Sequence, residues 1–178
     1  MSTPDVVFVH GMFMTPLCWE GWRDRFEARG LRTMAPAWPG HDAPVEAQCA
    51  AHPDPARGEL TLEAVVDTYR TLLAGMDRPA VVGHSMGGLV VQLLLQEGLA
   101  RCGVAIHSAP PQGVISLKWS FLKSNWGSIN PFQDTHQAWM LTFEQFRYGF
   151  VNGLPEDLQR EAFATQVVPE SRLVGSGP

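Results

Sequence analysis

Ser85 is the residue in this chain best set up to act as a nucleophile. It lies in Gly83-His84-Ser85-Met86-Gly87-Gly88, directly after the apolar run Pro79-Ala80-Val81-Val82 and ahead of a helical pattern. A serine at a sharp strand-to-helix turn takes a strained, positive-φ backbone, and strand and helix pass so closely there that residues two places either side carry no bulk. Gly83 and Gly87 meet that requirement. A hydroxyl held in this way attacks an ester or thioester carbonyl, and the oxygen that becomes negative needs donors already in place.

The partners such a serine needs are harder to find. His84 is its sequence neighbour, which points the ring elsewhere. His41 sits in the proline-rich turn Pro39-Gly40-His41-Asp42 and reads as a surface or loop-anchoring residue, while His136 and Asp134 read as helix-start residues. His107 ends the fourth apolar run, on the side where ligands bind in open α/β sheets, and is a candidate for lining the site.

The elements that must position Ser85 follow from the hydrophobic pattern. Val6-Val7-Phe8-Val9 is a β-branched and aromatic run of a strand buried on both faces. Trp19, Trp22 and Phe26 share one helical face that Gly30 closes, and Leu31 to Ala35 is a weaker strand. Residues 39 to 60 are rich in Pro, Gly, Ala and His and read as a long loop. Thr61 caps a helix with the stripe Leu62, Val65, Val66, Tyr69, Leu72 and Leu73. Ala80 to Val82 feeds the serine turn, Met86 to Leu99 leaves it as a helix, and Cys102 to Ile106 is a fourth strand. This alternation predicts a doubly wound parallel sheet of about four strands in an α/β core over residues 1–110. Residues 111–170 carry only helical periodicity and read as an all-helical cap, and 171–178 as a tail without a strand.

Composition narrows the class. The 178 residues suit one domain with an insertion; 45% are hydrophobic, 17% charged, and the net charge is −5. With only Lys118 and Lys123 as lysines there is no basic patch, which argues against nucleic acid or an anionic membrane as partner. Cys18, Cys49 and Cys102 are odd in number and lack CxxC spacing, so neither a disulfide framework nor a zinc site is suggested and a reducing, cytoplasmic setting is expected. No basic leader or membrane-length apolar run begins the chain. Composition leaves the oligomeric state open.

The strand ending in His10-Gly11, the Pro39-Gly40-His41-Asp42 turn and the Gly83-to-Gly88 elbow together resemble the α/β-hydrolase superfamily, in its branch of small esterases, lipases and related lyases with a helical cap. The resemblance spans roughly residues 5 to 170. It implies that Ser85 is the nucleophile, that the backbone amides of Met12 and Met86 form the oxyanion hole, and that His10 has a structural hydrogen-bonding role. It implies no metal or organic cofactor. Phe13, His107, Trp119, Trp126, Trp139 and Phe143 are the candidate substrate contacts, since the aromatic content of the cap suits an apolar acyl or aromatic group.

The expected activity is hydrolysis of a carboxylic ester or thioester of a hydrophobic small molecule through a Ser85 acyl-enzyme. A cofactor-free, hydroxynitrile lyase-like reaction and a non-catalytic binding protein are the alternatives. In this superfamily the acid and the histidine follow the cap; neither is found, so the chain is expected to be a truncated form, inactive alone, with an open strand edge prone to aggregation.

Overall fold

The structure, a computed structural model, describes residues 4–111, 113–114 and 134–175. The first apolar run forms β1 (Val6–Val9), buried along its whole length, as a strand covered on both faces requires. After a 3-10 turn over Pro16–Trp19, capped by the Thr15 side chain, come α1 (Glu20–Glu27) and β2 (Thr33–Met34). Trp19 therefore precedes the helix instead of opening its stripe: it is buried and stacks on Phe8 with ring centroids 4.9 Å apart, whereas Trp22 is 46% exposed.

Residues 39 to 60 depart from the expected loop. They contain α2 (Val45–Ala50) and α3 (Pro55–Gly58), the second started by Pro55 and capped by Asp54, whose carboxylate accepts from the Ala56 and Arg57 amides. Helices this short show no apolar stripe, so periodicity misses them. Next, α4 (Leu62–Ala74) begins at the Thr61 cap and buries Leu62, Val65, Val66, Tyr69 and Leu73. A fully buried large apolar side chain stabilises by roughly 1.5–3 kcal/mol, so this stripe outweighs helix propensity in holding α4 to the sheet.

β3 (Ala80–His84), α5 (Met86–Gln96) and β4 (Cys102–Ile106) complete a parallel sheet of order β2-β1-β3-β4. The order places β1 and β3 side by side, with Val9 opposite Gly83. The chain segments after these two strands therefore emerge together at one end of the sheet, and the site forms there.

The remaining described residues form β5 (Ala138–Trp139), α6 (Phe143–Gly149), α7 (Glu156–Gln166), β6 (Glu170–Ser171) and α8 (Arg172–Gly175). β5 and β6 pair antiparallel, Trp139 opposite Glu170. The part beyond the core is thus not helical throughout, and the stretch from Pro169 on does contain a strand, because two-residue strands carry no alternation to detect. Val174 in α8 is fully buried. Trp119 and Trp126 lie outside the described residues.

Among the described residues β4 has no partner on its outer edge, and Val104 there is 55% exposed. An apolar, unpaired edge templates further strands. Val104→Lys is therefore expected to reduce self-association, read by multi-angle light scattering across a tenfold range of protein concentration. A concentration-independent monomer mass for both proteins would contradict this.

Candidate functional site

Ser85 connects β3 to α5 with φ 56° and ψ −119°, outside the regions an L-residue adopts without strain. Such a conformation costs about 1–3 kcal/mol and persists only where its surroundings over-determine it. Here the Ser85 amide donates to Ile106 O at 3.0 Å, and Ser85 O accepts from the amides of Gly88 (3.0 Å) and Ala109 (2.9 Å). A Cβ on Gly83 would fall inside Gly87 O, and one on Gly87 inside the carbonyl oxygens of Val9 and His10. The same crowding brings Gly11 against the serine: a Cβ there would lie 3.1 Å from Ser85 Cβ.

Ser85 borders a cavity of about 360 Å³, together with Met12, Phe13, His84, His107 and Trp139. Met86 is the first residue of α5, so its amide is one of those a helix leaves without an intrahelical acceptor, at the positive end of the dipole. Met12 directly follows Gly11, which packs on Ser85.

The loop after β1 is fixed from two sides. His10 is fully buried; its Nδ1–H donates to Gly11 O at 3.0 Å and its Nε2 accepts the Trp38 amide at 3.2 Å, with the ring stacked on Trp38. Both bonds require the neutral ring. Burial, and next the charge of His41, push its pKa down to about 3. The structural hydrogen-bonding role implied for His10 matches this geometry. Phe13 is left-handed at φ 64°. Its amide donates to Glu170 Oε2 at 3.4 Å, its carbonyl accepts the Val168 amide at 3.0 Å, and its ring meets Trp139 edge-on with centroids 4.9 Å apart.

His41 is no surface residue. It is 1% exposed, with Nε2 3.0 Å from Glu170 Oε2 and 2.9 Å from Arg57 Nη1. Arg57 also donates to Gln48 Oε1 at 2.9 Å and to Gly40 O at 2.6 Å. Loop anchoring, the other half of the expectation, describes it. Glu170 and Arg57 escaped sequence reasoning: neither stands in a motif, and Glu170 falls in a stretch without periodicity.

Of the candidate substrate contacts, Phe13, His107 and Trp139 meet at the Ser85 cavity. Phe143 does not border it; its ring packs on Phe163 at 5.6 Å and under the Arg160 guanidinium at 4.5 Å. An adjoining apolar cavity of about 370 Å³ is bordered by Met14, Trp19, Trp22, Ile106 and Phe150, with His84 between the two cavities. Burial, then the His107 charge, lowers the pKa of His84. Cys18, on the second cavity, has its thiol pushed up to about 12 by burial, which keeps it protonated and unreactive.

Among the described residues no histidine or carboxylate hydrogen-bonds the Ser85 side chain, no cluster of three metal-ligating side chains occurs, and no helix is long and apolar enough to cross a membrane.

An elbow serine at the end of the third strand, beside the loop that leaves the first, defines a class of enzymes. The α/β-hydrolase family model matches residues 6–177, and the chain belongs to that family. Solved structures agree in fold. An extracellular α/β-hydrolase from a Paenibacillus species, described as sharing structural and functional homology with tobacco salicylic acid binding protein 2, is 22% identical with a TM-score of 0.71 over 95% of this chain and 68% of its own. A pyrethroid hydrolase from Sphingobium faniae is 18% identical (TM-score 0.67, 98% of this chain, 71% of its own). Polyneuridine aldehyde esterase is 16% identical (TM-score 0.66, 98% and 71%). Against curated protein sequences the chain finds no match.

The buried neutral His10 makes stability depend on pH. Its folded pKa lies below that of a free imidazole, so between the two values the unfolded chain binds the extra proton; the contribution is complete above about pH 6.5 and is lost as pH falls toward 3. Urea midpoints measured from pH 7 to 4 should fall, with this one group adding a slope of up to about 1.4 kcal/mol per pH unit. His10→Gln should flatten the profile by that amount. An unchanged profile would contradict the assignment.

Proposed function

We propose that this chain carries the nucleophile and oxyanion site of a serine esterase acting on a carboxylic ester or thioester of a hydrophobic small molecule. One observation carries the reading: Ser85 stands at φ 56° on the wall of a cavity it shares with Met12, Phe13 and Trp139. Ser85 Oγ adds to the carbonyl carbon, and the carbonyl oxygen takes the negative charge and accepts from the Met12 and Met86 amides. Collapse of the tetrahedral adduct expels the alcohol or thiol and leaves the acyl-enzyme. The serine proton passes to a histidine and from it to the leaving group. Among the described residues no side chain holds Ser85 Oγ, so this reading leaves that histidine and its acid unassigned. The 178 residues alone are then slow, since an unassisted serine hydroxyl is a weak nucleophile.

Phe13, Trp139 and His107 face the substrate in this reading, and the adjoining apolar cavity supports a hydrophobic group on it. The esterase and the pyrethroid hydrolase among the solved structures favour ester chemistry over a lyase. Three unpaired cysteines favour a reducing, cytoplasmic setting for this chain, although the Paenibacillus protein is extracellular.

Prolonged incubation with an excess of a fluorophosphonate probe is expected to modify Ser85 alone, read by peptide mass spectrometry, and Ser85→Ala to abolish the adduct. No adduct, or an adduct spread over several serines, would sink the proposal.

A further inference from the structure

We infer that Glu170 is a positioning residue that sets the oxyanion loop, acting through the Phe13 amide on the neighbouring amide of Met12. The inference rests on the reading of Met12 as an oxyanion donor. Phe13 adopts a left-handed backbone, which for a bulky aromatic residue is costly and must be held in place. What holds it is the segment entering β6 together with β5, the strand paired to it. Val168 donates to its carbonyl, Glu170 accepts from its amide, and Trp139, the cross-strand partner of Glu170, packs against its ring. Directly opposed residues of an antiparallel pair project to the same face, so β5 and β6 together grip Phe13 by ring and by backbone.

Glu170 is rigid enough for this task. Its carboxylate is fully buried and its two oxygens are divided: Oε1 accepts the Ser171 amide at 2.9 Å, while Oε2 takes the Phe13 amide and lies 3.0 Å from His41 Nε2. Arg57, which meets the same His41 Nε2 at 2.9 Å, supplies the countercharge within this buried cluster. Burying a carboxylate is costly unless such partners surround it. Phe13 therefore stands where the β6 register and the His41–Arg57 pair put it, and the Met12 peptide follows. Because a displacement of about 1 Å at a reacting group costs on the order of a hundredfold in rate, a residue that fixes this loop governs the rate of attack without touching substrate.

The test uses the 178-residue chain as wild type and as Glu170→Ala, Glu170→Gln and Glu170→Asp, with two readouts. By nitrogen-15 NMR, the Phe13 amide should be protected from hydrogen exchange in the wild type and in Glu170→Gln, which keeps an acceptor at full length. It should lose protection in Glu170→Asp, whose carboxylate is one methylene short, and in Glu170→Ala, while β3 and α5 amides stay protected. In fluorophosphonate kinetics, the maximal rate of Ser85 modification should fall by about 30-fold in the Asp and Ala variants, with the half-saturating probe concentration unchanged and Gln within about threefold of wild type. If Glu170→Ala fails to fold, the contrast between Gln and Asp decides.

Wild-type protection and rate in all variants would overturn the inference, and so would a Gln variant as impaired as Ala. If the wild-type chain takes no probe at Ser85, the esterase reading fails instead, and the exchange readout still decides whether Glu170 holds the loop.

Discussion

The structure depends on how closely three backbones meet at the elbow. β3, the first turn of α5 and the end of β1 approach until there is no space for a side chain at Gly83 or Gly87. That contact forces Ser85 into its positive-φ turn, and the sheet order β2-β1-β3-β4 makes it possible by seating β1 beside β3. The Ser85 amide donates to the last residue of β4, and its carbonyl accepts from Ala109 just beyond that strand and from Gly88 in α5, so the strained turn is held from both elements. Everything that follows, from the crevice beside Ser85 to the positions of the Met12 and Met86 amides, is a consequence of that approach.

A second layer of control comes from buried polar groups. The loop after β1 would be free to drift if only Gly11 held it. His10 ties it to Trp38, and Phe13 ties it to β6, while His41 and Arg57 join β6 to the helical turns after β2. Removing one member of such a buried ionic set leaves the others without compensation, which typically costs about 3–5 kcal/mol. The arrangement thus specifies a loop position more than it adds to net stability. It explains why three segments distant in sequence, around residues 10, 41 and 170, share one interior.

Legibility in the sequence followed the length of each element. Four apolar runs predicted the four strands, their alternation with helices predicted a parallel sheet, and the glycine pattern predicted the strained serine turn, because close packing restricts residue type directly. The Thr61 cap and the α4 stripe were equally clear. The short helices between residues 45 and 58, and the two-residue strands β5 and β6, were not, since neither is long enough to repeat its period. Glu170 and Arg57 were invisible for a related reason: a lone charge in an irregular stretch looks solvated until the fold brings its partners to it. Of the candidate contacts, Phe13, His107 and Trp139 border one cavity, while Phe143 packs on Phe163.

In the proposed function the Ser85 turn faces two backbone amides prepared for a negative oxygen. A crystal structure of the chain with a phosphonate covalently attached to Ser85 Oγ tests it most directly, because the phosphoryl oxygen stands in for the oxyanion. This oxygen should lie about 2.7–3.1 Å from both the Met12 and the Met86 amide nitrogens, with the organic group between Phe13 and Trp139. A phosphoryl oxygen turned to solvent, or bound by neither amide, would contradict it.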